Sequence, residues 1–354
     1  MKAAVIGLGR IGFLYSLDEK RKQPASHVAC YNALPEIDAI AVCDSDTDKL
    51  APALATIDKT KKAYSNYHEM MREFQPDVVS IATPTPTHLE IACRVAAYPS
   101  VKTIFLEKPL AQSIKEARKI LKACKKNRVR LAVNYTRRWS LTYQAVKRMF
   151  GFGRFGAIFQ VIGVYSGPLL RTGSHMIDVF NFFVGEQPIW VQAFGRPESN
   201  YLTLDNKSND FNISGIISYA DVDAILISGK QKPYLTFEVD IFAEKGRIRI
   251  TRNGSFIRGF ESFSSERYEN IRELKPVLMK RKIDRESVLL RAVREVVGNA
   301  AVPKDSKIQK ALSCSGEKAF ETLVTALALH KSSAHVNEMT SVDLVPENYT
   351  VRSY

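Results

Sequence analysis

Two residues in this sequence have the type and the setting to move a proton. Lys108 ends the run Thr103-Ile-Phe-Leu-Glu107-Lys108-Pro109, in which four residues of β character lead into Glu-Lys-Pro. A lysine at the carboxyl end of a buried strand sits where open α/β sheets hold their ligands. Burial there lowers an ammonium's pKa towards acid–base use, and Pro109 stiffens the turn that aims it. The alternative for Lys108 is a solvated residue in a βα loop. His175 stands in Gly173-Ser-His175-Met-Ile-Asp178, opening a helix expected over 175–183, with Asp178 three residues on and on the same face. An imidazole so placed exchanges a proton with a hydroxyl near neutral pH. The alternative is a structural histidine–aspartate pair.

The elements that must position these groups follow from the pattern. Lys2-Ala-Ala-Val-Ile6 is a short apolar strand, and Gly7-Leu-Gly9-Arg10-Ile11-Gly12 follows at once, opening a helix expected from Ile11 to about Ser16. A G-x-G-x-x-G between a first strand and a helix is a dinucleotide fingerprint. Gly7 permits the tight turn, Gly9 admits a pyrophosphate to the backbone, and Gly12 allows close helix–strand contact. Ala39-Ile-Ala-Val-Cys43 is the second strand and ends in Asp44, which binds the adenosine ribose and repels a 2′-phosphate. That selects NAD over NADP, because Ser45 and Asp46 supply no cation. The gap from the glycines to Asp44 is long, and the polar loop Leu17–Ala25 accounts for the excess. His27 follows that loop, either as a functional residue or as a packed or exposed loop histidine. Strand 77–83 leads to Pro84 and His88, with Thr87-His-Leu-Glu90 as an expected capping box. Ser113-Ile-Lys-Glu116 caps the next helix in the same way, and a strand runs from Arg130 to Tyr135. Alternating strands and helices predict a doubly wound parallel sheet.

Beyond residue 135 strand-like runs follow one another without helical crossovers: 157–165, 189–195, 211–219, 224–229, 234–243 and 246–251. This predicts a large, open, mainly antiparallel sheet in an α+β domain. Helices are expected over 285–297, stopped by Gly298, and over 317–332, while Glu261–Lys282 reads as a polar surface excursion. The expected division is 1–130 for the Rossmann domain and 131–354 for a substrate-binding and oligomerisation domain.

Composition excludes several classes. With 354 residues, 45% hydrophobic and 25% charged, the chain has the make-up of a globular protein. No apolar run spans a membrane and Met1-Lys2 leads directly into a strand, so the expectation is a cytoplasmic protein without a signal peptide. Five scattered cysteines lack metal-ligand spacing and read as reduced thiols; no metal is expected. The net charge of +14 asks for an anionic partner, and the dispersal of Lys and Arg suits a small molecule better than nucleic acid.

Gly7-Leu-Gly9-Arg10-Ile11-Gly12, Asp44, Thr83-Pro84 with His88, Glu107-Lys108-Pro109 and Gly173-Ser-His175-Met-Ile-Asp178 resemble, in order, the motifs of the glucose-fructose oxidoreductase / inositol dehydrogenase / MocA family. The resemblance runs to Cys314-Ser-Gly316-Glu317. It implies NAD(P)-dependent oxidation or reduction of sugar-like hydroxyls, with Lys108 and His175 as catalytic residues. Gly7, Gly9, Arg10, Ile11, Gly12, Asp44, Thr83, Pro84, His88, Glu107 and Lys108 would line the cofactor, and Tyr135, Arg138, Arg171 and Asp178 the substrate. One face of the C-terminal sheet is left free for a partner subunit, so a homodimer or homotetramer through that sheet is expected. One position departs from the pattern: where sugar and inositol dehydrogenases of the family commonly carry aspartate, four residues before the histidine, this chain has Arg171. A guanidinium takes no proton at neutral pH but grips an anion bidentately. With the basic charge, this favours a phosphorylated, nucleotide-linked or carboxylated sugar. Two rivals stay open: a non-catalytic NAD-binding sugar sensor or co-regulator, and an NADP-dependent reductase of a small carbonyl or diol.

Overall fold

The structure is a computed structural model that describes residues 1–195, 209–229, 234–279, 284, 286–304, 311–334 and 338–353. The first part of the chain supplies β1 (Lys2–Ile6), α1 (His27–Asn32), β2 (Ala39–Cys43), α2 (Leu50–Thr56), β3 (Thr60–Tyr64), α3 (Tyr67–Phe74), β4 (Val78–Ile81), α4 (His88–Ala96), β5 (Thr103–Leu106), α5 (Ile114–Lys126) and β6 (Arg130–Val133). Then come α6 (Leu141–Lys147), β7 (Ile158–Ser166), α7 (Ser174–Val184), β8 (Trp190–Gly195), β9 (Ile213–Ser218), β10 (Asp223–Gly229), β11 (Phe237–Ala243), β12 (Gly246–Thr251), β13 (Phe256–Ser264) and β14 (Arg272–Val277). The chain closes with α8 (Val288–Ala300), α9 (Gly316–Ala334) and β15 (Thr340–Ser341).

Two compact units result. The first comprises Met1–Trp139 with Arg285–Phe320, the second Ser140–Asp284 with Glu321–Ser353. The first unit is thus discontinuous, and it includes β6, which the expected break at 130/131 would have cut away. β6 belongs there because it closes the parallel sheet, pairing Thr103–Leu106 with Arg130–Val133. The later helix α8 also returns to this unit, burying Leu289, Ala292, Val293, Val296 and Val297.

The sheet of the first unit runs β3-β2-β1-β4-β5-β6, all parallel. Its central strands are buried along almost their whole length, which is why they read as unbroken apolar runs. The order reverses between β1 and β4, and at such a switch point the loops leave opposite ways and open a crevice at the carboxyl ends.

The helix expected from Ile11 to Ser16 is not formed. One helical turn closes through Phe13 N–H to Gly9 O and Tyr15 N–H to Arg10 O, and a 3-10 segment covers Leu14–Leu17. The helix then resumes at α1: His27 N–H donates to Ile11 O and Val28 N–H to Gly12 O. Residues 14–26 are thus an excursion spliced into the first helix. Ser26 restarts it by accepting from Ala29 N–H. The Thr87–Glu90 capping box also fails, because Thr87 Oγ1 bonds Thr83 Oγ1 and Pro84 O instead. The Ser113–Glu116 box forms, with Ser113 accepting from Glu116 N–H and Glu116 from Gln112 N–H.

The second unit carries a nine-stranded sheet in the order β14-β13-β12-β11-β7-β10-β9-β8-β15, antiparallel except where β7 pairs with β10. The polar stretch after Glu261 is no loop: it forms the end of β13 and the edge strand β14. Its side chains are mostly exposed, so composition reads as a surface excursion although Ser262–Ser264 and Arg272–Val277 pair in the sheet. Residues 280–282 of that stretch, and Arg285, lie outside the described residues. The helix expected to stop at Gly298 runs through it to Ala300.

Candidate active site

The glycine turn leaves β1 at the switch point. Gly7 has φ +93°, and a Cβ there would lie 2.7 Å from Ala82 O, on the loop after β4. A Cβ on Gly12 would run into the carbonyl oxygen of Gly7, whereas one on Gly9 meets nothing within 4 Å. Gly7 and Gly12 are therefore required by the protein's own packing, and Gly9 leaves open space beside bared backbone. That is the cradle a pyrophosphate needs. Arg10 is exposed at the tip and Ile11 half-buried.

Asp44, at the end of β2, is held towards this turn. Its Oδ2 accepts from Leu8 N–H at 2.7 Å and its Oδ1 from Asp46 N–H at 2.9 Å. A carboxylate keeps further lone pairs for ribose hydroxyls. The structure also brings a cation that sequence reasoning missed: Lys49 Nζ lies 3.0 Å from Asp46 and 3.7 Å from Asp44. The i, i+3 spacing of Asp46 and Lys49 was the available signal. One ammonium against two carboxylates leaves the rim acidic, so the repulsion of a 2′-phosphate stands. We expect NADH to bind more tightly than NADPH in fluorescence titrations. Asp44→Ala should narrow the gap and Lys49→Ala widen it; tighter binding of NADPH by the unmodified protein would overturn this.

Around Lys108 the groups are fixed from three directions. Lys108 is half-buried, and its peptide to Pro109 is cis. His88 is fully buried, with Nδ1 3.0 Å from Pro109 O and Nε2 2.9 Å from Thr83 O. It ties the loop after β4 to the loop after β5, an occupation different from the cofactor contact expected of it. Burial holds this imidazole below its ordinary pKa, although the two carbonyls and Glu107 pull the other way. Thr83 is half-buried and Pro84 exposed beside it. Glu107 turns inward: His27 Nε2 lies 2.8 Å from its Oε1, and Asn134 Nδ2 donates to the same oxygen at 2.7 Å. Burial alone would raise the Glu107 carboxyl, but His27, Asn134 and the charge of Lys108 outweigh it and hold it below the usual value. Asn134 Oδ1, buried at the end of β6, has no hydrogen-bond partner among the described residues. It is an acceptor left over at the carboxyl edge, as a bound amide-bearing ring would use.

Tyr135 and Arg138 are buried in the turn after β6, at 1% and 5% exposure. In the second unit Arg171 is exposed, His175 half-buried and Asp178 buried, with Thr322 Oγ1 donating to Asp178 Oδ1 at 3.3 Å. Asp210, which sequence reasoning passed over, accepts from Leu170 N–H at 2.9 Å and Arg171 N–H at 3.0 Å, and so holds the turn that carries Arg171. Burial drives the Cys43 and Cys124 thiols up to about 12, so they are not nucleophiles. Among the described residues no cluster of His, Cys, Asp and Glu could hold a metal, and no helix is long and apolar enough to cross a membrane.

Residues 1–135 match the family described as "Oxidoreductase family, NAD-binding Rossmann fold". Inositol 2-dehydrogenase of Salmonella typhimurium is 26% identical over 215 residues, covering 57% of this chain. The match spans 60% of that protein's length. Among solved structures, UDP-N-acetylglucosamine 3-dehydrogenase GnnA from Acidithiobacillus ferrooxidans has TM-score 0.74 at 16% identity, covering 96% of this chain and 99% of that one. An oxidoreductase from Agrobacterium radiobacter, in complex with NAD+, L-tartaric acid and magnesium, has TM-score 0.74 at 17% identity, covering 97% and 98%. The two structures establish the fold; the glycine turn, Asp44 and the sequence match identify residues 1–135 as an NAD-binding Rossmann unit similar to that of the Gfo/Idh/MocA oxidoreductases.

Proposed function

We propose that the chain is an NAD-dependent dehydrogenase of sugar- or polyol-type CH–OH groups, and that its substrate carries an anionic group. The carrying observation is Lys108, half-buried at the carboxyl end of β5 beside the switch point and held between the His88 staple and Glu107. Bound NAD⁺ supplies the hydride acceptor. As the substrate's C–H bond breaks, its hydroxyl must lose a proton for the C=O bond to form. Lys108 as the amine, or His175 as neutral imidazole, takes that proton. In the reverse direction the same group returns it to the alkoxide.

The names of the relatives support the substrate class: inositol in one case, a UDP-linked sugar in another. The anionic part rests on Arg171 and the charge of +14. A panel of inositols, sugar phosphates, sugar acids and nucleotide sugars, followed through nicotinamide absorbance, tests the whole reading. Sugar-dependent quenching of bound NADH without turnover of any panel member would favour the sensor instead.

Arg171 should act on binding and not on the proton. Each charge-assisted hydrogen bond it makes contributes about 1.5–3 kcal/mol. Arg171→Ala is therefore expected to raise KM roughly tenfold or more and to leave the pH profile of kcat in place. Unchanged KM, or a displaced pH profile, would assign Arg171 a structural ion pair.

A homo-oligomer formed through the second unit's sheet belongs to the same reading. Ile216, Ile225 and Ile162 lie side by side across β9, β10 and β7, and the row continues through Asp240, Arg249 and Arg258. The three isoleucines are only half-buried, on the face opposite the core residues Ile217, Ala224 and Val161. An apolar centre bordered by Gln192 on one side and by charges on the other suits, on a broad sheet, a second copy of the chain. Equilibrium sedimentation should give a mass above 39.8 kDa, and a strictly monomeric protein would remove this part of the proposal.

A further inference from the structure

Behind Lys108 runs a buried polar chain that none of the expected roles accounts for. His27, 0% exposed at the first position of α1, places Nε2 2.8 Å from Glu107 Oε1 and Nδ1 2.9 Å from Ser80 Oγ; Ser80 Oγ lies 2.8 Å from Tyr31 Oη. One arrangement satisfies every group. Tyr31 O–H donates to Ser80, Ser80 O–H to Nδ1, and Nε2–H to the Glu107 carboxylate, which also accepts from Asn134. Burial pushes the Tyr31 phenol up and keeps it protonated as the end donor. Ser80 lies in the middle of β4 and Glu107 immediately follows β5, so the chain crosses from the interior of the sheet to its carboxyl edge. His27 is also bound to the glycine turn through its own N–H to Ile11 O.

We propose that His27 is a positioning residue: by donating to Glu107 it keeps that carboxylate ionised and in place beside Lys108, and so sets the direction and charge state of the Lys108 amine. The assignment rests on the reading of Lys108 as the proton-handling group. A carboxylate stripped of water needs donors to stay charged. Among the described residues His27 from α1 and Asn134 from β6 reach it as donors. Glu107 in turn favours the ammonium form of its neighbour, because an opposite charge nearby stabilises the charged state. The other groups at hand do not replace His27. His88 of α4 spans two carbonyls, while Arg291 and Arg294 of α8 turn to Trp139 O and Glu286.

The test is the titration of Lys108 itself, by NMR of reductively methylated protein with the Lys108 signal assigned by its absence in Lys108→Arg. It needs no substrate, so it stands even if the panel of sugars yields none. His27→Leu removes the donor and should lower the Lys108 midpoint by about half a unit or more. It should also move the pH profile of kcat on any identified substrate to lower pH in step with that midpoint, with NADH affinity and substrate KM unchanged. His27→Gln, whose amide nitrogen can reach the place of Nε2, should restore the unmodified titration. If His27→Leu does not fold, as judged by circular dichroism, Glu107→Gln serves instead: it is isosteric, keeps a hydrogen-bonding oxygen and loses the charge, and should lower the midpoint by about one unit. A Lys108 midpoint unmoved in a folded His27→Leu or Glu107→Gln protein overturns the proposal. So does a His27→Gln protein that behaves like His27→Leu.

Discussion

Lys108→Ala is expected to abolish turnover while NADH binds as before. The dinucleotide is held by the glycine turn and Asp44, on the loops after β1 and β2, whereas Lys108 follows β5. Removing a positioned proton-transfer group lowers a rate roughly 10²–10⁴-fold. The loss should fall on kcat, because the amine's decisive contact is with a proton in flight and not with a resting substrate. Lys108→Arg should not rescue, since a guanidinium stays protonated at any pH the protein survives. The measurement is paired: steady-state kinetics on a panel substrate, and fluorescence titration of NADH on the same preparation. Near-normal turnover by Lys108→Ala would place the chemistry elsewhere. Lost turnover together with lost NADH affinity would make Lys108 part of the cofactor site instead.

Gly9→Ala and Gly12→Ala should fail in opposite ways, although both sit in one six-residue motif. A Cβ added at Gly9 meets nothing within 4 Å, so the variant should fold with unchanged stability, inside the roughly ±0.5 kcal/mol of an unremarkable surface change. It nevertheless fills the space where a pyrophosphate approaches the backbone, and NADH affinity should fall by an order of magnitude or more. A Cβ added at Gly12 collides with Gly7 O within the protein, which forces the turn to shift and costs about 1–3 kcal/mol. Thermal unfolding separates the two: Gly12→Ala should melt at lower temperature even without cofactor, and Gly9→Ala should lose only the stabilisation that NADH adds. A Gly9→Ala protein that binds NADH normally would show that the dinucleotide does not use this cradle.

The sequence by itself determined the elements and most of the candidate residues. Glycines at fixed offsets, an acid at a strand tip and Glu-Lys-Pro after an apolar run are local signals, because backbone conformation and strand burial act on adjacent residues. The change from alternating βα units to successive strands likewise told a parallel sheet from an antiparallel one. Where local signals misled, a long-range partner had decided otherwise. Thr87 gave up its cap for Thr83 and Pro84, and the first helix was interrupted at Phe13 and resumed at His27. The polar segment after Glu261 became strands because the end of β13 and β14 offered each other backbone partners, whatever their side chains.

Only the tertiary structure decided what stands behind Lys108. His27 and Glu107 are 80 residues apart, Ser80 and His27 53, and Lys49 reaches Asp44 only because the loop after β2 folds back. Nothing in the spacing of a histidine after a polar loop distinguishes a packed residue from one that grips a carboxylate. The distinction is made by which strands neighbour one another in the sheet. The order β1-β4-β5-β6 brings the ends of β5 and β6 beside α1, and burial then obliges each polar group there to find its partner.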